Sequence, residues 1–373
     1  VNELDTRLAA LRGGTPPVNF SARAIAGLTA NPGCARRALL DASGADKGLI
    51  SARVGFPVRF GQSTFALARG RAFEEQIKAN GAAQLLALLR ERLGLAIEEA
   101  SYLTLEDVGE HTGREVRAAH TANLLLRAAR DPDDAGTLFD HPMLRLTVAG
   151  HTAYLEPDLV AFKVGGRFHV VEIKSFAVID GQVDSEQVTA AARQAAVYVL
   201  ALRELLADHD LDPEIVSHEV LLVTPANFAN TPVVSVLDVR KQLAAIRRVL
   251  ARMSHIETLL EDLPEGVTFD LAPDAEGNPT RDPAELSAAL HQVPARYRPG
   301  CRAHCELAAF CREEARRDDS LDVFGPALSG LLGGVDTVSA ALSLADGSRR
   351  PAEEEADIAR ALRHAESLRC SLP

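Results

Sequence analysis

Apolar positions along this chain change rhythm several times, and each change marks an element. The first 17 residues read as a short helix that breaks at Gly13-Gly14 and Pro16-Pro17. Ser21 caps a second helix to about Leu28. From Thr64 to Leu93 apolar residues fall at helical spacing, with an interruption at Gly81 that predicts two helices. Residues 95 to 105 alternate weakly, as a strand does, and 113 to 130 read as a helix ending before Asp131-Pro132. Residues 144–150, 152–164 and 167–176 carry strand patterns. A long Ala-rich helix follows, opened by Asp184 or Ser185, with Asp184 and Gln187 approximating a capping box. Two more strands, His218–Thr224 and Val233–Leu237, precede a helix from Asp238 to about Leu263. Residues 264 to 300, rich in Pro, Gly and Asp, predict a long surface connection. The tail beyond Arg317 holds a Gly-rich stretch, 325–336, and a terminal amphipathic helix. Strands interleaved with helices predict the α/β class.

One stretch departs from its own pattern. Tyr154 to Lys174 reads as an apolar hairpin around Gly165-Gly166, yet Asp158, Glu172 and Lys174 interrupt it. Charges on buried strands are costly unless paired or bound to a cation. Glu172 and Lys174 lie two apart and project from one face. A two-residue turn would set Asp158 opposite Ile173, on the wrong face, whereas a three-residue turn sets it opposite Lys174. The hairpin therefore needs an odd-length turn, or a bulge near Asp158, to gather all three groups. Pro157 lacks a backbone donor and belongs at a strand start or edge.

Composition narrows the partners. A net charge of -12 argues against a protein that coats DNA generally. Cys34 to Arg71 is nonetheless locally basic, with Arg36, Arg37 and Arg71 among its cations, and reads either as a solvated face or as a phosphate-contacting surface. No apolar run is long enough for a membrane span, and the N-terminal stretch lacks a signal pattern, so cytoplasm is the expected compartment. There the five cysteines are better suited to metal ligation, or to standing as inert thiols, than to disulfides. The histidines, His141, His151 and His169 included, form no recognisable spacing, and no Walker A or helicase element is present in the sequence.

The pattern Pro157-Asp158, hairpin, Glu172-x-Lys174 resembles the PD-(D/E)XK nuclease superfamily. On that resemblance Asp158 and Glu172, with Ile173 between Glu172 and Lys174, hold Mg2+ or Mn2+. Lys174 orients the attacking water or offsets charge on the phosphate. Gln194-x-x-x-Tyr198 places an amide and a phenol on one helix face, where the RecB-like branch carries its Gln-x-x-x-Tyr motif. The resemblance implies that this pair orients the site and contacts DNA. Gly70-x-x-x-Glu74 is similar to an earlier helical element of that branch, with Glu74 where many members have a metal-binding His.

Cys301-x3-Cys305-x5-Cys311, together with the distant Cys34, resembles the iron–sulfur nucleases: the CRISPR-associated Cas4 family and the AddB and Dna2 nuclease domains. Their four thiolates hold a [4Fe-4S] cluster. The first gap of the triplet is one residue longer than the usual family spacing and places His304 between the cysteines, so a Zn2+ site of mixed ligands stays open. Basic residues near the triplet, Arg302 included, are candidates to line a DNA groove.

Together these motifs imply a restriction-endonuclease-like α/β core, a mixed central sheet flanked by helices, with an iron–sulfur-stapled helical region. Residues 1–30 form an N-terminal helical segment, 31–315 the nuclease domain and 316–373 a helical tail. The implied activity is a metal-dependent, Cas4-like exonuclease on single-stranded or unwound DNA ends, in repair or antiviral defence, with a helicase or defence complex as partner. Two alternatives stand beside it: a non-catalytic iron–sulfur scaffold subunit, and a restriction-type endonuclease.

Overall fold

The structure is a computed structural model. It describes residues 3–58, 64–93, 101–105, 113–131, 137–164, 166–176, 178–179, 183–227, 230–253, 256–319, 321 and 326–371, with the backbone alone at 64–67, 92–93, 161–164 and 326–327. Helices α1 (Glu3–Arg12), α2 (Ala22–Leu28), α3 (Ala35–Ser43), α4 (Lys47–Arg53) and α5 (Thr64–Leu93) precede strand β1 (Tyr102–Thr104). Helix α6 (Arg114–Arg130) leads to β2 (Leu138–Asp140), β3 (Leu144–Val148), β4 (His151–Leu155), β5 (Leu159–Val164) and β6 (Arg167–Ile173). Helix α7 (Ser185–Ala207), β7 (Glu219–Pro225) and β8 (Pro232–Asp238) follow. The remaining elements are helical: α8 (Arg240–Met253), α9 (Ile256–Glu261), α10 (Pro283–His291), α11 (Ala308–Arg317), α12 (Pro326–Leu331), α13 (Val338–Ala345) and α14 (Ala356–Ser371). No described helix is long and apolar enough to cross a membrane.

The chain forms two compact units, each built from separate stretches. Val1–Val18, Ala30–Phe60 and Ile256–Pro373 make the first, Asn19–Thr29 and Gly61–His255 the second.

The second unit holds a six-stranded mixed sheet in the order β1-β2-β5-β6-β7-β8. Strands β5 and β6 form the antiparallel hairpin at its centre, and β6 runs parallel to β7. That parallel pair requires a crossover, and α7 supplies it, packing on β6 and β7. Helix α5 buries Phe73, Ile77, Leu85 and Leu89 with Leu159, Val171, Ile173, Leu221 and Val223 of the sheet. Because strand side chains alternate, Glu172 is on the face opposite Val171 and Ile173. Helix α5 is two helices in sequence. Ala79 is extended, and Asn80, Gly81 and Ala82 all have positive φ, so the interruption expected at Gly81 is present.

Several boundaries differ from the pattern reading. The strand expected over 152–164 is two strands in two sheets, since β4 pairs with β3 in a separate ribbon and β5 joins the main sheet. Pro157 lies at the break, where its missing N–H costs no ladder bond. Strand β2 escaped the pattern because three residues are too few to set a period. Residues 264 to 300 are not a bare connection. They include α10 and bury Phe269, Leu271, Leu286, Leu290 and Val293 in the first unit.

Candidate active site

The hairpin register decides whether the three charged groups meet. Near the turn Val164 pairs with Arg167, which leaves two residues between them. Further along, Ala161 pairs with His169, Val160 with Val170 and Leu159 with Val171. The register has slipped by one between Ala161 and Val164. Continued one step, it sets Asp158 opposite Glu172, on a shared face. Gly165 of the turn lies outside the described residues, and the irregularity within β5 supplies the parity that the charged groups require.

Asp158 Oδ2 accepts a hydrogen bond from the Ile173 backbone N–H at 2.7 Å. The carboxylate therefore takes the place of a strand partner at the end of β6. Lys174 Nζ is in contact with Glu172 Oε1 and lies 3.9 Å from Asp158 Oδ2. Glu172 is 1% exposed, and neither of its oxygens has a hydrogen bond of acceptable geometry among the described residues. Burial drives its pKa up to about 7 against the pull of Lys174, with Asp158 adding to the rise. Asp158 shifts upward as well, chiefly from burial, while Lys174 and the Ile173 N–H oppose that. Burial alone would lower Lys174, but Glu172 and Asp158 outweigh it and raise its pKa, so it stands as an ammonium.

Gln194 and Tyr198 support this site from behind. Gln194 Nε2 donates to Tyr198 Oη at 3.1 Å, and Tyr198 Oη donates to the Glu156 carbonyl at 3.1 Å. The phenol thus pins the backbone two residues before Asp158. Tyr198 is buried, and burial with the nearby Glu172 raises its pKa well above the ordinary phenol value. A buried phenol has no surface to offer DNA, which corrects its expected contact role.

Glu74, from the first half of α5, lies within electrostatic reach and raises both Asp158 and Glu172. It does not stand free. Lys78, one turn along, holds it at 2.5 Å and also contacts Asp140 and His141. Tyr102 Oη donates to Asp140 Oδ2 at 2.7 Å, and Arg117 Nη2 donates to Glu156 Oε1 at 2.7 Å. Lys78, Asp140 and His141 escaped sequence reasoning. They come from an unremarkable helical turn, a three-residue strand and the position after it. A signal was available for Lys78, whose i,i+4 spacing from Glu74 is that of a helical ion pair. Among the described residues, no three His, Cys, Asp or Glu side chains are gathered as a ready ligand set for a metal ion.

All four candidate cysteine ligands fall in the first unit. Cys34 is the N-cap of α3, Cys301 and Cys305 are buried around a short helical turn, and Cys311 lies on α11. Asn31 Nδ2 donates toward Cys301 Sγ at 3.3 Å, and Arg36 Nη1 toward Cys311 Sγ at 3.3 Å. Burial pushes the Cys305 thiol up to about 12, with Arg37 opposing. It pushes Cys311 up to about 11, with Arg36 opposing and Cys34 adding. Cys370 is exposed at the far end of α14.

Arg36 and Arg37 do not line a groove. Arg36 is 1% exposed and grips Glu314 with both guanidinium nitrogens, at 2.6 and 2.8 Å, while Arg37 is buried against Asp41. A cation locked in a buried pair cannot reach a phosphate. Arg71 and Arg302 are exposed.

No family model and no curated protein matches the sequence. A crystal structure of a protein from Eubacterium rectale, provisionally named an exonuclease, is similar at a TM-score of 0.31 and 13% identity, over 70% of this chain and 84% of that one. A likeness that slight carries no argument about fold or activity.

Proposed function

We propose that the second unit is a PD-(D/E)XK-type nuclease, dependent on Mg2+ or Mn2+, and that the whole chain is a Cas4-like iron–sulfur exonuclease. Its substrates are single-stranded or unwound DNA ends. One observation carries the reading: Glu172 is a buried carboxylate that meets the Lys174 ammonium through Oε1, while its Oε2 has no hydrogen-bond partner among the described residues, and Asp158 lies beside it. That donor set fits a hard divalent cation, which takes oxygen ligands and offsets the burial cost of the carboxylates. Asp158, Glu172 and the Ile173 backbone are the proposed holders. Such an ion, when bound, polarises the phosphate and activates water.

The chain's own residues do the rest. Lys174 is held as an ammonium by two carboxylates, so it serves as a donor and not as a base. It positions the attacking water or offsets charge developing on the phosphate oxygens. Tyr198 and Gln194 fix the loop that carries Asp158. In the first unit, Cys34, Cys301, Cys305 and Cys311 are the proposed thiolates of a [4Fe-4S] cluster, and Asn31 and Arg36 donate toward two of the sulfurs.

The test is anaerobic purification, an iron assay, and end-labelled single- and double-stranded DNA with and without Mn2+. Lys174→Ala should lower cleavage by at least about 100-fold, as loss of one transition-state donor does, with iron content and DNA binding unchanged. Undiminished cleavage by that variant would sink the reading. Wild-type protein that binds DNA and cuts none with Mn2+ would point instead to a scaffold subunit.

A further inference from the structure

Lys78 is enclosed by three atoms that are each ordinary ligands of a divalent cation. Its Nζ lies 2.5 Å from Glu74 Oε1, 2.7 Å from Asp140 Oδ1 and 2.8 Å from His141 Nε2. Those atoms are also close to one another, with His141 Nε2 3.4 Å from Glu74 Oε1 and 3.8 Å from Asp140 Oδ1. Around the ammonium these three groups are not a ready ligand set, but with it removed a contraction toward bonds of about 2.0–2.2 Å would make them a metal shell. The ammonium occupies the centre of that shell. Tyr102 holds Asp140 from behind, through the oxygen that Lys78 does not use. Because an ammonium only donates, His141 accepts at Nε2 and keeps its proton on Nδ1, the nitrogen 3.6 Å from Glu156 Oε1. The Lys78 side chain is 11% exposed. Burial opposes its charge, but hydrogen bonds to Asp140 and Glu74 prevail and raise its pKa.

We propose that Lys78 is a built-in substitute for a second divalent cation, so that the nuclease site binds one metal ion, at Asp158 and Glu172. The inference rests on the nuclease reading above. It gives Glu74 a different task from the one its position suggests, since Glu74 holds Lys78 in place and does not ligate metal. The ammonium is felt at the site, because Lys78 pulls the Asp158 carboxyl down while Glu74 pushes it up. A fixed lysine supplies positive charge that no chelator removes, at half the charge of a divalent ion.

Manganese stoichiometry tests this without reference to cleavage. Anaerobically purified full-length protein is titrated with Mn2+, read by electron paramagnetic resonance of the free ion and by calorimetry. Wild type should bind one Mn2+ per chain. Lys78→Ala and Lys78→Ser, which empty the shell, should each bind two. Adding Glu74→Gln to Lys78→Ala should return the count to one, and Glu172→Gln alone should bind none. Mn2+ should also raise the melting temperature of Lys78→Ala by more than it raises that of wild type. Two ions in wild type, or one in a folded Lys78→Ala, overturns the proposal and leaves the nuclease reading standing. No ion in wild type overturns the nuclease reading and this proposal with it. A Lys78→Ala protein that Mn2+ fails to restore to the folded state also counts against it, because the emptied shell keeps all three ligands.

Discussion

Glu172 has almost no water around it, and its titration is a signature that can be measured without substrate. An ordinary glutamate loses its proton near 4.5, whereas burial moves this one up to about 7 despite Lys174. Folding therefore favours the neutral acid. That contribution is fully present below about pH 4.5 and is lost as pH rises through about 7. It is worth up to about 3 kcal/mol. Chelator-treated protein should lose stability to urea between about pH 4.5 and 7, and Glu172→Gln should flatten the profile. Asp158 shifts in the same direction, so the difference between the two proteins is what isolates Glu172. Equal slopes would mean that Glu172 is not buried without a cation. Sequence revealed this residue because charge on an apolar strand is anomalous whatever the fold. The same logic exposed Asp158 and Lys174, whereas Gln194 with Tyr198 stood out only through the resemblance to the RecB-like motif, since helical spacing alone does not single them out. Lys78 was legible only as an i,i+4 partner of Glu74, while Asp140 and His141 were illegible because only the fold brings their elements to it. Arg36 and Arg37 were misread, since a basic stretch says nothing of which cations a buried carboxylate will claim.

Helix α5 shows what an element adds. Its first half carries Glu74 and Lys78, and its second half packs Leu85 and Leu89 under the sheet. Three successive residues, Asn80, Gly81 and Ala82, adopt positive φ to change direction between the halves. Only glycine does so without strain. A Cβ at Gly81 would meet nothing nearer than the Tyr102 Cβ at 4.0 Å, so the cost of Gly81→Ala is conformational alone. It should be about 1–2 kcal/mol, read from a lowered denaturation midpoint at constant slope. A null result would mean that the bend is not maintained in solution. Gly81 was visible in the sequence as a break in a helical period. The slip within β5 was visible only as a demand: the parity of Asp158 and Glu172 required an irregularity, but nothing in the residues located it between Ala161 and Val164. The division of 152–164 into two strands was hidden, because apolar alternation continues across Pro157 while the sheet does not.

At the scale of the molecule, the first unit is the part whose integrity depends on distant sequence. Three stretches build it. Phe269 N–H donates to the Leu11 carbonyl at 2.7 Å, and Arg36 Nε donates to the Val293 carbonyl at 3.1 Å. The Arg36–Glu314 pair joins residues 278 positions apart and brings the guanidinium onto Cys311. Burying that arginine is tolerable because Glu314 and Cys311 raise its pKa against desolvation. Glu314→Ala removes the carboxylate and leaves the cation enclosed, which costs about 3–5 kcal/mol. That is a large share of the roughly 5–15 kcal/mol that holds a domain folded. Arg36→Met combined with Glu314→Leu removes both charges while keeping apolar bulk, and should recover much of the loss. The comparison separates a charge penalty from a packing penalty. On the iron–sulfur reading it also separates both from cluster binding. Glu314→Ala should lose iron because the unit loosens. Cys311→Ser should lose iron while its Arg36–Glu314 pair remains to be counted in stability. Thermal unfolding with iron content measured on the same samples reads all four proteins together. If Glu314→Ala melts with wild type, the buried pair is not holding the unit. If Cys311→Ser retains full iron, the four cysteines are not its ligands.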